Sequence, residues 1–470
     1  MSLLIVGVDN TIVTIALPNM RTDLHTSFVA SQWTVDAYQL VLGAFLLMAG
    51  STADRWGRRR TLQAGLGLFT VASLLCSLAP TVGWLVAFRV LQALGGSMMN
   101  PVAMAIVAHV YPDPVKRAKA FGVWSGVYGL SMAIGPILGG FLVAGPGWRS
   151  IFWINIPIGI LAVVLCARFV PESKAPHPRT PDPVGQALVI LMLASLTYAI
   201  TEGRSLGWGS ITVATLTIVA AASAGLLLRW ELRRKEPLID PRFFISAPFS
   251  GGVVMALAGM GAAGGYLWVM TFYLQDARNM PPSTAGISLL PVAVMVLMIA
   301  PLSGHLAAHR GPRIPLVISG AGIAAGAAFL VGLHPSSPTW MLIVSFVLFG
   351  TGFGMLNAPI TTITVSGMPP AQSAVASAVA STGRQIGQAL GVAIIGAIVV
   401  PGIDNPATPA SLADASHPGW WTIILSGLLV TGIAAVTTTP AANRSAQHAA
   451  TRFPGTNTPT DRHPRPVTRT

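Results

Sequence analysis

Stretches of roughly 20 residues, apolar and nearly free of charge, follow one another along this chain from its start to about residue 437. A helix rising 1.5 Å per residue needs about 20 such residues to cross a hydrocarbon core about 30 Å thick. Inside that core every backbone donor and acceptor has to be paired within the protein, which leaves helices or a closed barrel. The runs lack the period-2 alternation and the turn every ten residues of a barrel. The chain therefore reads as an all-α polytopic membrane protein. Charged residues are 9% of it and hydrophobic residues 53%. A soluble domain carries about 25% charged residues, so a water-facing surface could not be clothed.

The expected spans cover residues 2–19, 33–53, 61–80, 83–108, 119–144, 150–169, 183–202, 210–229, 249–274, 284–303, 314–333, 339–363, 373–400 and 420–437. The first run, Met1 to Leu17, is short for a span, as expected of a truncated start or of a first helix that protrudes little. It lacks the basic flank and small-residue cleavage site of a signal peptide. Beyond Thr438 the chain is rich in Pro, Thr and Arg, has no apolar face, and reads as a disordered tail.

A net charge of +13 raises the question of nucleic acid, but the basic residues sit in short loops between apolar runs. With the N-terminus cytoplasmic, the loops after spans 2, 4, 6, 8 and 10 and the tail hold 22 of the 28 Lys and Arg residues, including Arg55, Arg58, Arg59, Arg60, Lys116, Arg233, Arg234, Arg310 and Arg313. The outer loops hold Arg21, Arg149, Arg204 and Arg278. By the positive-inside rule, both termini are cytoplasmic and the protein is multi-pass in the cell membrane. The expected partners are the bilayer, a small organic molecule and protons, with no nucleic acid, and the chain is read as a monomer. Cys76 and Cys166 lie in spans near opposite faces, so no disulfide is expected between them.

A repeat is visible. Gly50-Ser-Thr-Ala-Asp-Arg-Trp-Gly57 recurs as Gly304-His-Leu-Ala-Ala-His-Arg-Gly311, each after the second span of its half. Two six-helix halves, 1–180 and 236–437, separated by two extra spans within 181–235 and followed by the tail 438–470, would produce it. Parallel halves around a central site are a transporter architecture.

Charge inside the bilayer costs at least about 2.5–3.5 kcal/mol per group, so such groups face a cavity or a partner. Asp9, Asp36, Arg89 and Arg384 fall within spans. Burial disfavours an ionised carboxylate and a nearby guanidinium favours it. A movement that joins or parts Asp9 and Arg89 would thus take up or release a proton. The alternative is a permanent structural tie. Asp36, about one turn inside span 2, is a second proton-coupling candidate, or else a solvated or capping residue. Gln92 lies one turn from Arg89 on the same side.

Gly50, Asp54, Arg55, Gly57 and Arg58 form a frame in which Gly57 permits a tight turn and Asp54 bonds the arginines or a helix N-terminus. It reads as a conformational latch, with a topology-setting basic loop as the alternative. In span 5, Gly126, Gly129, Gly135, Gly139 and Gly140 make a flat packing face around Pro136, which removes a backbone donor. Candidate pocket residues are Trp33, Tyr38, Gln39, Gln92, Trp124, Tyr128, Tyr266, Trp268, Phe272, Gln275, Asn357 and Arg384, though Trp and Tyr also anchor spans. His305 and His309 stand at i,i+4 without an accompanying carboxylate, so no metal site is expected. No phosphate-binding loop or catalytic constellation is recognised, and no enzyme activity is expected.

Together these motifs resemble the major facilitator superfamily. The frame Asp9, Thr11, Ile12, Val13, Ala16, Leu17, Pro18 and the Gly135-Pro136 pattern are similar to its fourteen-helix drug:proton antiporter branch. So are Tyr273-Leu-Gln275 through Pro291, and Gly383-Arg-Gln-Ile-Gly387-Gln-Ala-Leu-Gly391. The resemblance implies alternating access, export of hydrophobic drugs or antibiotics, proton-linked roles for Asp9 and Asp36, and no cofactor besides the proton gradient. The sequence departs from it in having no acidic residue between Asp276 and Asp404, which argues against a dicationic substrate. Uptake by symport or facilitated diffusion is the alternative on the same fold. A receptor, scaffold or integral enzyme is a third class.

Overall fold

The computed structural model describes residues 1–450 except 112, 176–179, 235, 367, 369–371 and 405–406. Of residues 114, 115, 117–119, 121–126, 128, 129, 133, 374, 443 and 450 it describes the helical backbone alone. The expected spans are helices: α1 (Ser2–Asp23), α2 (Phe28–Trp56), α3 (Arg58–Ser77), α4 (Val82–Val110), α5 (Pro114–Ala144), α6 (Ser150–Phe169), α7 (Pro183–Glu202), α8 (Ile211–Glu231), α9 (Ala247–Ala277), α10 (Pro282–Arg310), α11 (Arg313–Ala328), α12 (Thr339–Val365), α13 (Ser373–Val399) and α14 (Pro409–Thr437). Among the described residues, 11 helices are long and apolar enough to cross a membrane.

Two sequence expectations need correction. The first helix does not stop near residue 19 but continues through Asp23, because its polar end is held by partners described below. The tail is not wholly unstructured. α15 (Pro440–Ala450) forms and packs on α9, burying Ala442, Ala446 and Ala449. The Ser445 hydroxyl accepts the Ala247 N–H at 2.9 Å, so the segment satisfies an orphan donor at the start of α9. Residues 451–470 lie outside the described residues.

Helix starts follow from local chemistry. Ser27, Ser210 and Ser246 precede α2, α8 and α9, and each side chain accepts a backbone N–H from the first turn. Thr408 and Ser411 make a reciprocal capping box on α14. α4 and α12 are each interrupted midway, at Met98–Met99 and Met355–Leu356. A proline follows both breaks, Pro101 and Pro359, and cannot donate to the carbonyl one turn back. At the second break the Ser303 hydroxyl of α10 supplies that missing donor to Met355 O at 3.1 Å.

The repeat seen in sequence is a repeat of packing. α1 lies on α5 as α9 lies on α13, α2 on α4 as α10 on α12, α3 on α4 as α11 on α12, and α3 on α6 as α11 on α14. Gly65 meets Gly95 across the α3–α4 crossing, and Gly322 meets Gly352 across the α11–α12 crossing. Small residues let the backbones approach to a distance a side chain would forbid. The turns after α2 and α10 pass through Gly57 and Gly311 with φ of 122° and 79°, conformations open to glycine at little cost.

The halves meet along α2–α13 and α5–α10, which the repeat relates to each other. Their close contacts gather at one end. Gly396 abuts Gln32, Gly140 abuts Pro282, and Gly286 lies on the Pro136 carbonyl. Arg21 pairs with Asp276 at 2.8 Å, and Asn19 donates to Gln275 Oε1 at 3.0 Å. Gln275 in turn donates to Ile15 O at 2.8 Å, and the Phe28 and Phe272 rings stand 5.1 Å apart. The π-helical turn Tyr273–Ala277 presents Gln275 and Asp276 to α1. Beneath this closed end is a cavity of about 10 Å³ lined by Thr11, Thr14, Pro136 and Thr271, among others, room for one water at most. The loops bearing Arg55–Arg60, Arg233–Arg234 and Arg310–Arg313 sit at the opposite end.

α7 and α8 pack on each other, and α7 docks against α2 and α13. Trp33 Nε1 donates to Glu202 at 3.1 Å, its ring lies 5.7 Å from Tyr198, and Gln186 donates to Ala44 O at 2.9 Å.

Candidate functional site

Five helices of the N-terminal half bring polar side chains to one buried point. Asp9 of α1 is 0% exposed and Arg89 of α4 is 1% exposed. Arg89 Nη1 bonds Asp9 Oδ2 at 2.5 Å and Gln92 Oε1 at 2.7 Å. Arg89 Nε donates to Thr34 O of α2 at 3.0 Å, and the guanidinium lies 3.9 Å from the centre of the Tyr38 ring. A guanidinium over an aromatic face gains a further electrostatic attraction when desolvated. Gln92 Nε2 donates to Asp9 Oδ1 at 3.0 Å and to Ser73 Oγ of α3 at 2.8 Å. Asn155 of α6 donates to Asp9 Oδ1 at 3.2 Å.

Asp9, Arg89 and Gln92 are thus brought together. Asn155 and Ser73 were not anticipated. A single Asn or Ser in an apolar run carries no signal of its own; only the i,i+3 step from Arg89 to Gln92 was readable without the fold. Breaking a buried ion pair by removing one partner costs about 3–5 kcal/mol, because the other charge stays buried alone. The network is therefore held together by its completeness.

Asp36 does not join this network and is not solvated near the surface, as one turn of depth would have allowed. It lies more than two turns into α2 and is 0% exposed. Gln32 donates to its Oδ2 at 2.9 Å, and its Oδ1 has no hydrogen-bond partner among the described residues. Gln32 itself is pressed against Gly396 of α13, so Asp36 stands beside the seam between the halves.

At the basic end Asp54 accepts from Arg58 at 2.9 Å across Gly57, while Arg55 is exposed and Gly50 has open space around it. Glu172, beyond α6, carries no signal in the sequence. Its carboxylate accepts the backbone N–H groups of Arg59 at 3.0 Å and Arg60 at 3.3 Å, capping α3 where the helix dipole favours an anion. A Cβ on Gly57 would come within 2.7 Å of that carboxylate. The frame thus binds the α2–α3 hairpin to the end of α6.

In α5, a Cβ at Gly135 would overlap the Thr11 hydroxyl, and one at Gly139 would press on Ile12 and Ile15. The glycine face is therefore the seat of α1, while Gly140 and Pro136 meet α10. Of Gly126, Gly129, Trp124 and Tyr128 the helical backbone alone is described.

The candidate pocket residues lie in several parts of the fold. Trp33 faces α7, because its indole N–H finds Glu202 there. Tyr266 stacks on Phe349 at 3.7 Å, and its hydroxyl meets Ser345 at 2.7 Å, inside the C-terminal half. Phe272 and Gln275 belong to the closed end, as does Trp268, whose ring lies 4.9 Å from Phe272. Tyr38 lies under Arg89 and is 0% exposed. Gln39 is buried with an unpartnered Oε1 among the described residues. Arg384 donates to Thr361 of α12 at 3.2 Å and to Ser381 at 2.6 Å. Asn357, partly buried, begins the second segment of α12 one turn before Thr361. Arg384 and Ser381 occupy the side of α13 between the glycines seated on α9 and the Gln385–Gly396 face seated on α2. The His305 and His309 rings lie 4.1 Å apart, tilted by 31°, and no cluster of three or more metal-ligating side chains occurs among the described residues.

Two like halves of membrane-crossing helices, closed against each other at one end and carrying a buried charge network, define a membrane transporter. Residues 1–392 match the Major Facilitator Superfamily, and the chain belongs to that family, which is one of transporters and not of enzymes. The chain is 35% identical over 421 residues to the tetracenomycin C resistance and export protein of Streptomyces glaucescens, covering 88% of this chain and 77% of that one. It is 32% identical over 410 residues to the multidrug resistance protein Stp of Mycobacterium tuberculosis, with 87% and 76% covered. It is 30% identical over 445 residues to the puromycin resistance protein pur8 of Streptomyces alboniger, with 92% and 88% covered. The fold matches a bacterial homologue of the lysosomal transporter Spinster in an inward-facing, unoccupied conformation, at TM-score 0.62 and 19% identity over 95% of this chain and 96% of that one. It also matches a D-xylose–proton symporter at TM-score 0.65 and 15% identity over 94% and 97%.

Proposed function

We propose that this transporter exports small hydrophobic organic molecules of the drug and antibiotic kind in exchange for protons, by alternating access. The observation that carries the coupling is the fully buried Asp9–Arg89 pair. A charge pair at that depth has little use as a fold stabiliser, since desolvation offsets most of its attraction, whereas a carboxylate whose partner can be withdrawn is a proton carrier. The direction, outward, rests on the resistance and export proteins to which the chain is similar. Asp36, with one oxygen unpartnered beside the seam, is the second proton-coupling candidate.

In this reading the termini are cytoplasmic and the protein sits in the cell membrane as a monomer. The closed end faces outward, and the basic loops face the anionic inner leaflet. The Asp54–Arg58–Glu172 frame acts as a conformational latch at the cytoplasmic edge. Gln39, Asn357 and Arg384 line the substrate path.

The energetics suffice. One proton falling through about 100 mV releases about 2.3 kcal/mol, with about 1.4 kcal/mol more per unit of pH difference. Exporting a neutral molecule against a hundredfold gradient costs about 2.7 kcal/mol. A monovalent cation exchanged one for one moves no net charge and leaves only the pH term, so a second proton-bearing acid would be used.

The test is ethidium efflux from energised cells at matched expression. The wild type should clear ethidium, stop on addition of a protonophore, and lose efflux in Asp9→Asn. Efflux that continues in Asp9→Asn makes Asp9 structural. A wild type that moves no ethidium points to a narrower neutral or anionic substrate.

A further inference from the structure

Three donors converge on Asp9, and they are not equally held. Arg89 is fixed by Thr34 O and by the Tyr38 ring as well as by Asp9. Gln92 is fixed at both ends, since its Oε1 receives Arg89 and its Nε2 reaches both Asp9 and Ser73. Ser73 spends its one proton on Phe69 O at 2.8 Å, so it can receive bonds here but cannot give one. Asn155 has one good bond, to Asp9 Oδ1 at 3.2 Å, and a second contact to Ser73 Oγ at the 3.5 Å limit. It is 2% exposed. It also stands where the helix is interrupted: α6 breaks at Ile154, and Pro157, two residues on, gives no N–H to the Trp153 carbonyl one turn back.

All three groups facing the carboxylate present N–H, a set that suits the ionised acid. A protonated Asp9 brings its own O–H into this ring of donors and needs an acceptor. An amide carries both functions, N–H₂ and C=O, on a single rotor. Arg89 has no acceptor to offer, and the Gln92 carbonyl is already taken.

We infer that Asn155 is a positioning residue for proton coupling, whose side-chain amide donates to ionised Asp9 and turns to accept from protonated Asp9, so that the break in α6 follows the charge of Asp9. This rests on the proton-coupling reading of Asp9. The other charged or titratable groups around the site are Arg89 on α4, Cys76 on α3, which lies 3.9 Å from Gln92 Oε1, and Tyr38 on α2. From the described part of α5, Gly135 and Gly139 meet α1 and bring no charge.

The experiment is an infrared pH titration of the full-length protein in lipid vesicles, following the carboxylic C=O band that Asp9→Asn removes. Asn155→Leu, similar in size but without donor or acceptor, takes a bond from each form of Asp9, and the bond to the ionised form is about twice as strong as the one to the neutral acid. Proton binding should tighten about tenfold, moving the midpoint up by about one pH unit. Asn155→Ser, whose hydroxyl both gives and accepts, should move it by less, and it carries the test should Asn155→Leu fail to assemble. A midpoint unchanged in the assembled variants, with only thermal stability lowered, overturns the inference while leaving Asp9 as the proton site. If the wild type shows no titrating band that Asp9→Asn removes, the proton-coupling reading falls and this inference falls with it.

Discussion

The two halves repeat one design and fill its centre with opposite chemistry. The spacing that carries Gly65 onto Gly322 and Gly95 onto Gly352 also carries Arg89 onto Phe346 and Gln92 onto Phe349. In the N-terminal half α1 sends Asp9 to that place and builds a charged network. In the C-terminal half α9 sends Tyr266, which stacks on Phe349 and edges onto Phe346 and Trp420. The hairpin turns differ in the same sense, with Asp54-Arg55 in the first copy and Ala308-His309 in the second. Nothing in the packing demands charge at this place, because the second half closes well without it. On the proposed function, the network in the first half serves transport, and the second half is the apolar body against which it works.

That contrast can be broken by substitution. The largest expected effect is Arg89→Leu, which strands Asp9 in the core and should lower stability by about 3–5 kcal/mol. The matching change Phe346→Leu keeps the site apolar and should cost less than about 1.5 kcal/mol. Thermal unfolding in detergent would compare them, and equal losses would end the claim that the halves differ in kind. Next come the glycines of α13. A Cβ on Gly391 would run into the Gly261 backbone, whereas at Gly383 it would meet Ala256 at an ordinary 3.6 Å. Gly391→Ala should cost about 1–3 kcal/mol and Gly383→Ala less than about 0.5 kcal/mol, both read as the melting temperature.

Tyr266→Phe should cost about 1 kcal/mol, since Ser345 keeps its bond to Gly326 O at 2.7 Å, and transport should be unchanged. The smallest effect is at the closed end. Arg21 and Asp276 are each 19% exposed, and a pair so placed is worth up to about 1 kcal/mol. Arg21→Asp or Asp276→Arg should each reduce cross-linking between cysteines at positions 19 and 275 by up to about fivefold. The double swap should restore it; continued loss in the swap would mean the two charges do not meet.

Much of this was legible before the fold. Helix number and repeat follow from apolar runs whose length the bilayer dictates, and Asp9 and Arg89 stand out because charge in such a run is costly. Asn155, Ser73 and Glu172 were not legible, because a neutral amide, a hydroxyl or a loop acid acquires meaning only from what another helix brings to it. Trp33 and Tyr266 could not be placed from the sequence for a related reason. An aromatic side chain in a span fits a pocket, an interface and a packed core equally well, and only the neighbours Glu202 and Phe349 decide. The helix Pro440–Ala450 escaped notice because its apolar face is made of alanines alone.

The central claim is that the buried charge of the first half couples substrate movement to protons. It is tested most directly in liposomes by two assays on one preparation, accumulation of ethidium driven by an imposed pH gradient and ethidium exchange with no gradient. Asp9→Asn should abolish accumulation while exchange continues, and Tyr266→Phe should keep both. Gradient-driven accumulation at the wild-type rate in Asp9→Asn would contradict the account.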